Sequence, residues 1–317
     1  MGIKTVFCGN KTVTNMKIRI TLLSLLAWAS QASASLLIYE GFDYAAGANG
    51  LNSQNGGTGF TAAWGAADNA DVSAGSMGYT DGGGRALTTS GNRLLVDASG
   101  VSPATGVTIS PFRSVASALD TVTGNTVYIS LLGQKLSGTG RAMNFAFFTD
   151  IANNGVYTSQ ERISVGHGTN QPNAAGPFTW GAFVFGNGNN GALPQVIGSN
   201  YSTTSILDSA FVVLKIEANA SGLDERFSLF INPSLDSEGV PVVTFLRDSL
   251  ASINEIDRIR PFAGGSNATL APSPTDFDEL RIGTSWADVT PFTLVPEPGA
   301  ATMSLLALMG LLVRRRR

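Results

Sequence analysis

The chain of 317 residues is poor in cysteine, histidine and charge, and each shortage removes a class of function. Cys8 is the lone thiol and lies ahead of the stretch that reads as mature protein, so neither a disulfide framework nor a cysteine metal site is available. His167 is the lone imidazole; one histidine cannot build a multi-histidine metal site, and no Gly-x-Ser-x-Gly elbow accompanies it. Gly166-His167-Gly168 therefore reads as a surface turn. Charged residues make up 14% of the chain, against a usual ~25%. The Ala-, Leu-, Glu- and Lys-rich runs of long helices are missing from the middle of the chain. Clustered cations are missing as well. Residues 35–295 hold 12 Lys and Arg against 22 Asp and Glu, a net of −10. A surface of that sign argues against nucleic acid, whose phosphates need grouped Lys and Arg. No cofactor is indicated.

What is abundant is glycine, 37 residues, together with Ser, Thr and Asn. Low charge and frequent turn formers suit an exported all-β protein, and about 260 residues bury enough core to fold without disulfides. Short apolar-alternating runs recur between turn signals, as in a β-sandwich. They include Ser35–Tyr44, Arg85–Thr89, Arg93–Val96, Val107–Ile109, Thr126–Leu136, Arg141–Thr149 and Arg162–Gly166. Phe178–Phe185, Ala210–Ala218, Arg226–Asn232, Val242–Leu246, Ile256–Arg260 and Phe277–Gly283 come after them. In Phe211–Glu217, Val212, Leu214 and Ile216 define a core face, while Lys215 and Glu217 close the other toward water or a groove. Ser114–Leu119 reads as a short helical turn, and residues 263–276 as a loop. There is no internal repeat and no second domain.

Both ends carry processing signals. Lys17 and Arg19 precede an apolar run, Ile20–Ala29, and an Ala32-Ser33-Ala34 cleavage site, the pattern of a secretory signal starting at Met16. At the other end Pro296-Glu297-Pro298 precedes an apolar stretch to Val313 and then Arg314, Arg315, Arg316 and Arg317. As a helix the apolar stretch spans only ~22 Å, less than the ~30 Å hydrocarbon core. This three-part tail resembles the PEP-CTERM sorting signal of bacteria. The resemblance implies export through the Sec translocon, a membrane-anchored precursor, and cleavage near the Pro-Glu-Pro by an exosortase, leaving the body at the cell surface or outside. A plain membrane anchor is the alternative. The domain plan is then a signal region, 1–34, a body, 35–289, a linker, 290–298, and a transmembrane helix with its Arg tail, 299–317.

Within the body, Glu40–Trp64 runs Glu-Gly-Phe-Asp-Tyr into a Gly/Asn-rich loop ending on Trp64. This block resembles the opening of concanavalin A-like, LamG-type proteins. Phe211–Pro233 and Phe277–Val289 resemble their closing strands. The resemblance implies a jelly-roll β-sandwich with the first strand near the last and the Gly-rich loop crossing one end.

Such jelly rolls include glycoside hydrolases, whose retaining members need paired carboxylates ~5–5.5 Å apart on one strand face. Glu255-Ile256-Asp257-Arg258-Ile259-Arg260 begins that way, but Arg260 stands where the proton donor belongs, and a guanidinium does not donate near neutral pH. No catalytic residue is assigned. Asp150, Asn154, Gly155 and Glu161 fall at positions 1, 5, 6 and 12 of a calcium-type loop. Ala152 fails position 3, and Asn153-Asn154-Gly155 between strands is by itself a hairpin signal. Asp150, Asn154 and Glu161 are the metal candidates, for calcium. Trp64, Trp180, Trp286 and Tyr201 are the aromatic candidates for stacking on sugars, with core packing as the alternative at each. The expectation is a non-catalytic surface or extracellular-matrix protein that binds an extracellular polysaccharide or builds the envelope. A jelly-roll hydrolase or lyase and a protein-binding adhesin are the rivals.

Overall fold

The period-two runs form strands because alternate residues find a core on one side while the backbone finds ladder partners on both edges. The computed structural model describes residues 35–65, 70–96, 108–109, 111–120, 124–137, 142–148, 161–167, 178–184, 201–221, 224–247, 255–264 and 274–295. In chain order the strands are β1 (Leu36–Glu40), β2 (Ala70–Ser73), β3 (Arg85–Leu87), β4 (Arg93–Val96), β5 (Thr108–Ile109) and β6 (Arg113–Asp120). Next come β7 (Thr126–Lys135), β8 (Ala142–Phe148), β9 (Glu161–His167), β10 (Thr179–Val184), β11 (Tyr201–Ser205) and β12 (Ala210–Ser221). The last are β13 (Asp224–Ile231), β14 (Val243–Arg247), β15 (Glu255–Gly264), β16 (Thr275–Gly283), a one-turn helix α1 (Trp286–Val289) and β17 (Phe292–Leu294).

These strands make an all-β two-sheet sandwich. One sheet has eight strands in the order β14-β13-β12-β7-β16-β4-β2, with β1 added on β16. The other has seven, β11-β10-β9-β8-β15-β5, with β6 also on β15. The first strand thus lies beside a closing one, as the opening motif implies. Leu131, Val212, Leu214 and Phe277 from one sheet meet Phe145, Phe147, Ile163 and Trp180 from the other in one core. Each such side chain, taken out of water, stabilises the fold by about 1.5–3 kcal/mol.

A second apolar layer covers the outside of the eight-stranded sheet. Leu132, Phe211, Val213 and Phe230 pack there against Met77, Leu87, Leu235 and Val289. The side of β12 expected to meet water or a groove is therefore mostly covered, and among its described side chains Lys215 and Glu217 stay partly open.

Three local expectations change. Ser114–Leu119 is not a helical turn but part of β6, because Arg113 and Val115 point inward and β15 supplies the ladder. Trp286–Val289, expected to continue the closing strand, is a helix begun by a Ser285 capping box with Asp288. Residues 292–295, expected within the linker, are tied to the body. β17 pairs with β3, and Val295 N–H donates to Gly84 O at 3.0 Å.

The Gly/Asn-rich loop does cross one end of the sandwich, bridging Tyr39 to Thr58 and Phe60 to Val115. Its anchor is Glu40, 1% exposed, whose Oε2 accepts from Arg113 (2.7 Å), Tyr44 (2.7 Å) and the Trp64 indole (3.0 Å). The Arg113 guanidinium also lies 4.0 Å from the Phe60 ring and donates to Ala62 O and Asn55 Oδ1. The opening motif is a buried clamp that ties the loop to both sheets.

Candidate functional site

Paired carboxylates would be the mark of a hydrolase, and adjacent acids do occur on β16. Asp278 and Glu279 are both 0% exposed. Glu279 adopts a positive φ of 53° where β16 bulges, a strained geometry for a side chain of this size. Its carboxylate is consumed by Arg281, Ser90 N–H and, at 3.5 Å, the Tyr39 hydroxyl. Asp278 accepts from Met77 N–H (2.8 Å), Ser76 Oγ (2.6 Å) and Glu279 N–H (2.9 Å). Both acids fasten covering loops to the sheet rather than open to solvent.

Burial, with Glu279 beside it, pushes Asp278 up to about 8 against the opposing pull of its hydrogen bonds. An acid whose folded value is raised favours the fold when protonated, so this contribution is present below the ordinary value of 3.8 and is lost as pH rises toward about 8. Urea midpoints of wild type and Asp278→Asn, measured at pH 5 and pH 9, are expected to converge at the higher pH as wild type weakens more. An equal fall in both proteins contradicts the assignment.

The outer face of the seven-stranded sheet is also buried, with Asn144 6%, Ser164 1% and Phe183 1% exposed, but it groups residues of another kind. Residues paired across a sheet share a face, so the register lays out three rows. The first is Tyr201, Gly181, Gly166, Asn144 and Phe262. The second is Phe183, Ser164, Ala146 and Arg260, and the third is Phe148, Arg258 and Ser114. Two adjacent glycines make the floor of the first row a trough. Tyr201 and Asn144 wall it three strands apart, about 14 Å at the usual strand spacing. The trough is built in: a Cβ on Gly166, at φ 135°, would overlap Met143 O and stand 2.7 Å from the Asn144 Cα.

Both walls end in polar atoms that the protein leaves unsatisfied. The Tyr201 hydroxyl and Asn144 Oδ1 are buried without a hydrogen-bond partner, each a deficit of about 1–3 kcal/mol unless water or a ligand supplies the bond. Burial alone raises the Tyr201 phenol far above its ordinary value, so it remains a neutral donor. Arg260 lies 4.5 Å over the Phe148 ring and 4.9 Å over Phe262, which holds its planar fork in place on this face. Glu161, paired with Phe148, belongs to the third row by register.

His167 ends β9 at the edge of this region, buried rather than on the surface turn expected of it. Its Nδ1 lies 3.3 Å from Thr179 O, which can only accept, so Nδ1 carries the proton. Burial lowers its pKa to about 4, with the nearby Lys135 adding to the effect and the Thr179 bond opposing it. The ring is neutral at pH 7 and stands 6.1 Å from Tyr201.

No family model and no curated protein matches the sequence. Among solved structures, the fold is similar to endo-β-1,4-glucuronan lyase from the fungus Trichoderma reesei at 13% identity and a TM-score of 0.48. That similarity covers 81% of this chain and 99% of that one. The T. cruzi calreticulin globular domain is similar at 10% identity and a TM-score of 0.43, over 79% and 89% of the two chains. Lectin II from Ulex europaeus is similar at 16% identity and a TM-score of 0.38, over 78% and 98%. The sandwich is defined by its own sheet order, and the trough by its register.

The four aromatic candidates separate cleanly. Trp64 (2% exposed) and Trp180 (0%) are core residues, so neither offers a face to a sugar. Trp64 is held by Phe42 and Glu40, and Trp180 reaches over Gly133. Tyr201 walls the trough. Trp286 lines a cavity of about 480 Å³ with Leu235, Asp236, Ser237, Glu238 and Phe292 on the far side of the other sheet. The acids of that cavity are already engaged: Glu238 by Tyr128 and Lys215, each at 2.8 Å, and Asp236 by Arg85. Asp150 and Asn154 lie outside the described residues, as do Ala32, Ala34, Pro296, Glu297, Pro298 and Arg314–Arg317. Glu161 is described by its strand position alone, and no group of three metal-ligating side chains occurs among the described residues.

Asn144, Gly166, Gly181, Arg258 and Arg260 carry no binding motif in the sequence. A faint signal exists in Met143-Asn144-Phe145-Ala146-Phe147-Phe148, where three large apolar side chains alternate with Asn and Ala. Which alternate set faces away from the core emerges only once the sheets are paired.

Proposed function

We propose that this chain is exported, held at the membrane by its C-terminal segment, and binds a polysaccharide without chemically altering it. The body is read as a jelly roll of concanavalin A-like type, and the sorting tail as an exosortase substrate. The observation that carries the binding reading is the glycine-floored row on the seven-stranded sheet, walled by the unsatisfied polar atoms of Tyr201 and Asn144. A sugar hydroxyl both donates and accepts, so it suits a phenol on one wall and an amide oxygen on the other.

A glycan array probed with the full chain, with calcium and with chelator, tests this. Binding to at least one glycan is expected. Tyr201→Phe should weaken it about three- to tenfold, the usual worth of a neutral hydrogen bond. Silence on every sugar in both conditions sinks the reading. Release of new reducing or unsaturated ends from a bound glycan favours the enzyme alternative instead.

A further inference from the structure

The body ends on an apolar ribbon. Phe292 is 37% exposed, Leu294 72% and Val295 49%, three large hydrophobic side chains within four residues. They sit on or just beyond β17, whose ladder partner is the three-residue β3, and all three positions of β17 are exposed. Such a ridge in water costs hydrophobic free energy that burying it would recover.

The length of chain beyond the ridge indicates its cover. From Val295 to Gly299, where the apolar run begins, there are four Cα–Cα steps. Fully extended they reach only ~14 Å, so the ridge stays within a few ångströms of the interfacial layer, ~5–8 Å thick on each side of a bilayer. We propose that Phe292, Leu294 and Val295 form a membrane-contact ridge that rests in the headgroup region next to the point where residues 299–313 enter the bilayer. This rests on reading the tail as a bilayer segment. The net of −10 on residues 35–295 opposes an anionic surface, so the ridge suits a zwitterionic one. No acid lies among Phe292, Thr293, Leu294 and Val295, and Arg85, the register partner of Leu294, brings a guanidinium 5.7 Å from the Phe292 ring. The consequence is an oriented body, with β17 down.

The test uses the full chain carrying Cys8→Ser and one reporter cysteine, Leu294→Cys or Leu207→Cys, labelled with a fluorophore. Leu207 is also exposed, at 44%, and is tied to Gln134 at the end of β7, whereas Trp286, close to β17, packs on Tyr128 near its start. Those two points lie about 20 Å apart along the strand. The chain is mixed with phosphatidylcholine vesicles bearing a headgroup spin label. Quenching at position 294 is expected to be at least about twofold stronger than at 207, as for an apolar face seated at the interface. Flotation with the vesicles reports on the tail separately. A chain that floats but quenches equally at both sites overturns the ridge and leaves the anchor reading standing. A chain that does not float overturns both.

Discussion

Arg113→Ala is expected to lower the stability of this protein by about 3–5 kcal/mol, the cost of leaving one member of a buried ion pair without its partner. Arg113 and Glu40 have side chains only 1% exposed, so water cannot take over. The loss reaches beyond the pair. Arg113 also holds Ala62 O and Asn55 Oδ1 and covers Phe60, so the Gly/Asn-rich loop loses much of its side-chain attachment to the seven-stranded sheet and keeps its backbone bonds to β6. For a domain of this size the thermal midpoint should fall by roughly ten degrees. Replacing both members with methionine should not recover the loss, because Glu40 also accepts from Phe42 N–H, Tyr44 and Trp64, and those donors would be stranded. Urea unfolding of the three proteins checks this. A loss below about 1 kcal/mol for Arg113→Ala is the behaviour of a surface pair and contradicts the clamp.

Gly166→Ala carries the second large effect because it strikes fold and trough together. The positive φ costs an alanine about 1–3 kcal/mol, and its methyl would overlap Met143 O, a backbone atom of the neighbouring strand. Relief requires β8 and β9 to part at the row that holds Asn144. Glycan binding should therefore fall more than at Tyr201→Phe, with stability reduced in parallel. Gly78→Ala serves as the control, since a Cβ there meets nothing within 4 Å and the φ is not positive. If Gly166→Ala unfolds at the wild-type urea concentration, the close approach of β8 to β9 is wrong. If it retains full glycan binding, the floor of the trough does not touch the ligand.

The division between what could be read and what could not comes from which interactions are local. β12 and β13 were legible because Phe211–Pro233 carries alternation and a turn in one continuous stretch. The segment around Ser114–Leu119 was not, since its small residues favour no local conformation strongly and its strand state comes from β15, about 140 residues away. The Ser285 cap was legible in principle, as Ser-x-x-Asp spacing, but the preceding strand pattern overrode it.

The candidate site divides in the same way. Tyr201 and Trp286 stand out as aromatic, and so do Trp64 and Trp180; type alone cannot tell an indole that stacks on a ligand from one that fills a core. Gly166 and Gly181 become neighbours, and Tyr201 and Asn144 opposite walls, only through the pairing of four strands.

From its residues alone, the chain shows terminal patterns read as export signals, a body without cysteine and a two-sided strand pattern. Each is a property of composition or of a short run, carried by neighbours in sequence. The trough, the buried Glu40–Arg113 clamp and the apolar ridge at β17 belong to the folded molecule, because each depends on residues tens to hundreds of positions apart meeting with one register, and that register is chosen by the whole core at once.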